Sequence, residues 1–393
     1  MKACGGKVAL VLLGIITATL VALANHQQGS TAYRRVNLVS DIAGVAEFTD
    51  PNLVNPWGIA LNPRGIFWIS DNGAGVSTLY LPDGTAQSLI VTIPPPAGST
   101  NPATPTGVEF NSSSAFVVAS GTNSGPSVFI FATEDGTVAG WNPSVDLHNA
   151  VLAIDHSASG AVYKGIALAQ DNASNQFLFV ANFHDGVVEK FDANFNPISS
   201  FTDSNLPAGY APFGIRTIGG NLYVTFALQN GEKHDDVAGP GNGFVDVFDI
   251  NGNLVRQFAA HGTLNSPWGL ALAPGNFGKF SHALLVGNFG DGLINAFDPS
   301  SGSFLGQLTD RRGNLIAIDG LWGLFFFQPQ SVSQHHPSKH GRGKGDNEQG
   351  DDNQGDEVAQ ISPRLYFTAG LAHEEHGLFG FIKPIQIELQ NDD

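Results

Sequence analysis

The stretch Trp57-Gly58-Ile59-Ala60-Leu61 returns as Lys164-Gly165-Ile166-Ala167-Leu168 and again as Trp268-Gly269-Leu270-Ala271-Leu272. Shorter versions stand at Thr106-Gly107-Val108, Phe213-Gly214-Ile215 and Trp322-Gly323-Leu324. The six glycines are 49, 58, 49, 55 and 54 residues apart, and a period of that size marks a chain of repeated units. Each unit continues in one order: an apolar strand after the glycine, a second apolar run, a Gly/Asn/Asp turn, then a third strand closing on an aromatic residue. The second runs are read at 66–70, 115–120, 177–181, 221–226, 283–287 and 364–368. The third strands end at Tyr80, Phe131, Phe191, Phe248 and Phe297.

Turns such as Pro82-Asp83-Gly84 and Ile250-Asn251-Gly252 carry the residues that tolerate positive φ in hairpins. A fourth strand follows, as at 254–258. Four antiparallel strands per repeat cannot bury both faces alone, so the units must pack around an axis. The fold expected is an all-β, six-bladed β-propeller with blades starting near 55, 104, 162, 211, 266 and 320. The sixth unit lacks a fourth strand, and residues 33–40 form a strand with no blade of its own. The N-terminal strand is therefore expected to complete the last blade and close the ring, with 385–389 as the alternative closer.

Composition agrees with this architecture. Gly is 48 and Pro 22 of 393 residues, while charged residues are only 13%, as sheets buried on both faces require. The formal net charge of −17, with 18 basic residues, argues against a nucleic-acid partner. Lys2 and Lys7 precede and open an apolar run ending Ala22-Leu23-Ala24, the pattern of a secretory leader spanning 1–24. Secretion or export to a periplasm is expected, with no membrane span after cleavage and a monomeric domain over 25–393. The one cysteine, Cys4, lies in that leader, so thiol catalysis is excluded from the mature chain. Residues 328–363 carry His335, His336 and His340, then basic and acidic residues among Gly, Asn and Gln, and read as a disordered insertion within blade six.

The runs Val180-Ala181-Asn182-Phe183-His184-Asp185-Gly186 and Val286-Gly287-Asn288-Phe289-Gly290-Asp291-Gly292 resemble the NHL-type propeller repeat. With Asn55-Pro56-Trp57-Gly58, Leu321-Trp322-Gly323 and Leu365-Tyr366-Phe367-Thr368-Ala369-Gly370, the chain is similar to a family of secreted bacterial propellers of unassigned function. It also resembles, distantly, the sugar-lactonase propellers. That resemblance implies a divalent metal on Glu, Asn and Asp donors at the axial mouth, polarising a lactone carbonyl.

Aligning the units puts Asp71, Ser120, Asn182, Phe226, Asn288 and Ala369 at one position. Asp71, Asn182 and Asn288 are thus candidate oxygen ligands for a hard cation such as Ca²⁺, or caps of their own turns. Trp57, Phe213, Trp268 and Trp322, each before a repeat glycine, are candidates for an aromatic floor under a sugar or peptide, or wedges between blades. His184, His373 and His376 complete the mouth candidates. His373-Glu374-Glu375-His376 lacks the zincin spacing and is placed on a turn. A longer turn at 229–242, with Glu232, His234, Asp235 and Asp236, is read as arching over the mouth or as a solvated loop. No nucleophile elbow, phosphate loop or dinucleotide fingerprint is present. The reading is a propeller binding a small molecule, glycan or protein at an acidic mouth, with a metal-dependent lactonase-type hydrolase as the alternative.

Overall fold

A computed structural model describes residues 31–327 and 362–386. The leader expected at 1–24 and nearly all of the insertion expected at 328–363 lie outside the described residues. The chain forms six small antiparallel sheets arranged as the blades of a propeller. Their innermost strands are Pro56–Leu61, Pro105–Phe110, Tyr163–Gln170, Tyr210–Ile218, Pro267–Leu272 and Leu321–Phe327. In blades one and three to five, the next three strands in sequence add outward in order. Among the described residues, no helix is long and apolar enough to cross a membrane.

The repeat glycine marks the point where inner strands meet. A Cβ at Gly58, Gly107, Gly165, Gly214, Gly269 or Gly323 would fall within 3.0 Å of a backbone atom in the next blade's inner strand. The contacts run blade one to two and onward, and Gly323 meets the carbonyl of Trp57, closing the circle. The residue after each glycine (Ile59, Val108, Ile166, Ile215, Leu270, Leu324) is buried in a separate apolar cluster. Close approach and side-chain burial thus alternate along the strand, as the pleat dictates.

Closure is by the N-terminal strand. Thr31–Ser40 pairs antiparallel with His376–Gln386, from Thr31 opposite Gln386 to Ser40 opposite Leu378. Ile385, where the alternative closer would begin, is already part of that third strand. Tyr33 anchors the clasp, fully buried, its hydroxyl donating to the Phe277 carbonyl in blade five at 2.9 Å. A fifth, two-residue strand, Phe48–Thr49, pairs parallel at the rim.

Blade two corrects one expectation. Its second strand is Phe129–Thr133, not 115–120, and its third and fourth are Thr137–Trp141 and Val151–Asp155. Val117–Ser120 instead pairs with Asn123–Pro126 as an extra hairpin, in a sheet of its own. The apolar run there was a hairpin inserted between inner and second strands, with Phe116 buried against blade three. Ser120 is exposed, and the equivalent of Asp71 in blade two is Thr133.

Candidate functional site

Two residues before each repeat glycine, the inner strand pairs with the last residues of the second strand. The pairs are Pro56 with Asp71, Pro105 with Thr133, Tyr163 with Asn182, Pro212 with Phe226, Pro267 with Asn288 and Leu321 with Ala369. These six levels define the mouth of the ring, where second-to-third strand turns meet the connections between blades.

Asp71, Asn182 and Asn288 are fully buried there. Asp71 accepts from the Thr78 amide at 2.9 Å, and burial pushes its carboxyl well above the ordinary range. Asn182 donates to Asp185 at 2.9 Å and Glu189 at 2.7 Å, while its oxygen accepts from the Asp185 amide at 3.2 Å. Asn288 donates to the Thr263 carbonyl at 2.7 Å and to Asp291 at 3.0 Å. Each therefore binds the turn or third strand of its own blade, or the connection leading into it. As a ligand set for a cation they still offer one oxygen each on Asp71 and Asn288 that has no hydrogen-bond partner among the described residues.

The aromatic residues gather on the axis. Trp57 and Trp322 stack with centroids 3.5 Å apart, Phe289 stacks on Trp322 at 4.0 Å, and Trp268 meets both tryptophans edge-on. Phe213 packs on Trp322 and Phe183. All of Trp57, Phe213, Trp268 and Trp322 are buried in one cluster, which plugs the axis beneath the mouth.

Lys164 is set among these rings. It occupies, in blade three, the position before the glycine that is aromatic in four other blades and Thr106 in blade two. Its ammonium lies 4.9 Å from the Trp57 ring centroid, 5.7 Å from Phe183 and 6.0 Å from Phe213, and the side chain is 1% exposed. Glu134, from the blade-two turn, bonds it directly. Asp235, from the long blade-four turn, stands 3.8 Å away.

The remaining mouth residues connect to this pair. Asn72 donates to Glu134 at 2.8 Å, and Asn55 donates to Asn72 at 3.3 Å and to Glu374 at 3.1 Å. Burial, then the charge of Glu134, holds the Glu374 carboxyl up to about 7, with the Asn55 bond and Lys164 pulling the other way. Asp235 binds His234 at 2.8 Å and raises its affinity for a proton. Glu374 ends a left-handed turn in which Ala372 (φ 53°), His373 (φ 59°) and Glu374 (φ 69°) are all non-glycine residues at positive φ. The Ala372 amide is held by Asp319 at 2.8 Å.

The predicted histidines divide. His184 pairs with Asp185 at 3.0 Å and is partly exposed, beside Gly160 of the incoming connection. His373 is exposed on the left-handed turn. His376 turns outward to Asp41, 2.7 Å away, beside the closing strand. The long turn at 229–242 does reach the mouth, through Asp235 and through Gln229, whose amide donates to the His184 carbonyl at 3.3 Å. Glu134, His234 and Asp235 each offer a ligand atom within 4.8 Å of the others. The Lys164 ammonium stands in that company, so a divalent cation would have to displace it from Glu134.

What this arrangement offers is a carboxylate-lined recess over an aromatic plug, with Glu374 able to exchange a proton near neutrality. No family model matches the chain. Two proteins of Acanthamoeba polyphaga mimivirus are similar to it. Uncharacterized protein R648 is 34% identical over 303 residues, 75% of this chain and 74% of that one. Uncharacterized protein L690 is 33% identical over 296 residues, 73% and 77% of the two chains. These relatives are viral, and nothing in them supports the bacterial and secreted character expected from the sequence. Among solved structures, virginiamycin B lyase from Staphylococcus aureus gives a TM-score of 0.49 at 12% identity, covering 90% of this chain and 99% of the other. A glucose dehydrogenase also gives 0.49 at 12%, covering 88% and 99%.

Proposed function

We propose a ligand-binding role for the axial mouth, and kinship sets its scope: the chain belongs to the family of mimivirus proteins R648 and L690. The ligand is a small, neutral or cationic polar molecule, such as a sugar, polyol or amine, held by Glu134, Asp235 and Glu374.

The observation that carries this reading is Lys164. A buried ion pair contributes little to stability, because desolvation cancels most of the Coulomb attraction. The ring does not need it, since other blades fill the same position with Trp, Phe or Thr. A charge placed at such cost in the plug beneath a mouth is best explained by what it orients above it. Lys164 fixes the carboxylate of Glu134, and through Asn72 and Asn55 the same network reaches Glu374. The leader at 1–24 favours a mouth that works outside the cytoplasm.

The double variant Lys164→Met with Glu134→Gln tests the reading. It is expected to melt at or above the wild-type temperature, as replaced buried ion pairs commonly do, by roughly 1–4 kcal/mol at most. It should also lose, by at least about tenfold, the affinity for any sugar, polyol or amine that stabilises the wild type in a thermal-shift panel. A double variant that unfolds would make the pair structural and remove the argument for a ligand.

The second reading, a metal-dependent hydrolase of lactonase type, is favoured by the proximity of Glu134, His234 and Asp235. Residues that would hold a divalent cation such as Ca²⁺ are these three or the Asp71, Asn182 and Asn288 set. Melting curves with chelator, Ca²⁺, Mn²⁺ and Zn²⁺ decide it. Curves that coincide would eliminate the hydrolase, and a shift lost on Glu134→Ala but kept on Asp71→Ala would identify the ligand set.

A further inference from the structure

Among the described residues, three indole N–H groups at the centre of the ring lack an acceptor. Nε1 of Trp57, Trp268 and Trp322 is buried without a partner, in side chains 3%, 9% and 1% exposed. A buried donor left unpaired is costly, and buried tryptophans normally find an acceptor. Along the axis runs a cavity of about 40 Å³, lined by Trp268, the six repeat glycines and their aliphatic neighbours. That is room for one monatomic ion or a few waters.

Two charged residues also line it, Glu109 and Arg216, and no others do among the described residues. The Arg216 guanidinium makes one long bond, 3.4 Å to the Leu324 carbonyl, and lies 4.9 Å from the Phe325 ring. Among the described residues it has no carboxylate within 4.0 Å, and the Glu109 carboxyl has no hydrogen-bond partner. Of the three indoles only Trp268 lines the cavity, so its side chains bring one guanidinium and one unpaired indole N–H together with a single carboxyl.

We propose that this axial cavity is a halide site, holding one chloride-sized anion between the Arg216 guanidinium and the indole N–H of Trp268. The glycines leave the tube wide enough, and the aliphatic ring excludes larger, strongly hydrated oxyanions. Glu109 sets the conditions. Burial holds its carboxyl up to about 7 against the pull of Arg216. Below that pH the group is a neutral O–H and opposes no anion. Above it the carboxylate neutralises Arg216 and repels a halide, so occupancy falls as pH rises through about 7.

The test uses the whole chain at constant ionic strength, with sodium chloride or bromide replaced by gluconate, at about pH 5.5 and about pH 8.5. Halide is expected to raise the melting temperature by about 2 °C or more over gluconate at the lower pH only. Glu109→Gln should keep the halide effect at both pH values, and Arg216→Gln should abolish it at both. Crystals grown at the lower pH in bromide should show an anomalous peak on the axis beside Trp268. Melting that does not distinguish halide from gluconate at the lower pH overturns the proposal. So does a halide effect that survives Arg216→Gln, or a cavity containing water alone. None of these outcomes bears on ligand binding at the mouth, whose residues are not varied.

Discussion

Lys164 and Glu374 show how single residues are held against their preferences at the mouth. Lys164 gives up its hydration for two carboxylates and three ring faces. Glu374 is delivered by three successive left-handed residues, a conformation that costs an L-residue roughly 1–2 kcal/mol each. Such strain persists only where surrounding structure fixes it, and it clusters at working sites. Ala372→Gly removes the Cβ clash in the exposed first residue of that turn. It is expected to stabilise the fold by about 1 kcal/mol in equilibrium unfolding, whereas Ala372→Val should destabilise it. Equal stabilities for all three would show the turn to be unstrained. Asp235 and Glu374 were visible in the sequence as turn residues, but the centre they surround was not. Lys164 stood in the repeat alignment as the one charged residue in its column, and that anomaly was the signal. Glu134 was hidden because the blade-two strands were assigned one hairpin too early, which put Ser120 where Thr133 and the Glu134 turn belong.

At the scale of the element, the inner strand explains why the repeat was readable at all. Its glycine is required by backbone of the next blade, its following residue by an inter-blade cluster, so both constraints recur in every unit. Outer strands carry no such constraint; Pro197–Phe201 is largely exposed, and the hairpin in blade two adds strands without disturbing the ring. The fold was therefore legible from its axis outward, and legibility failed at the insertion, where apolar character did not distinguish a blade strand from an added one. Gly214 gives the test. A methyl there would strike the Trp268 carbonyl and displace blade five, so Gly214→Ala should cost at least about 1–3 kcal/mol by denaturant titration. Gly231→Ala, at a position with open space and no positive φ, should be neutral or slightly stabilising. Comparable losses at both positions would remove the close-approach account of the repeat.

The whole molecule sums its buried acids. Asp246 is fully buried with neither oxygen bonded among the described residues, and burial, then the neighbouring Asp203, pushes it up to about 8. Glu109 and Glu374 are held near 7, and Asp71 well above its ordinary range. All four bind a proton more tightly folded than unfolded. Their contribution to stability is therefore complete below the unfolded carboxylate range, near pH 4, and is lost progressively as pH rises through the folded values. The net charge of −17 adds self-repulsion in the same direction. The exposed aspartates whose turns lower their pKa, such as Asp298 at about 2, favour the fold only above the acid range and are screened by solvent. The melting temperature should thus peak near pH 5 and fall by several degrees toward pH 8, against the neutral optimum common among domains. Asp246→Asn keeps the shape and removes one titration, and its amide can donate to Asp203. It should match the wild type near pH 5 and melt a few degrees higher near pH 8. A wild-type curve flat from pH 5 to 8 would mean that water reaches these carboxyls, and the dry interior of blade four would have to be abandoned with it.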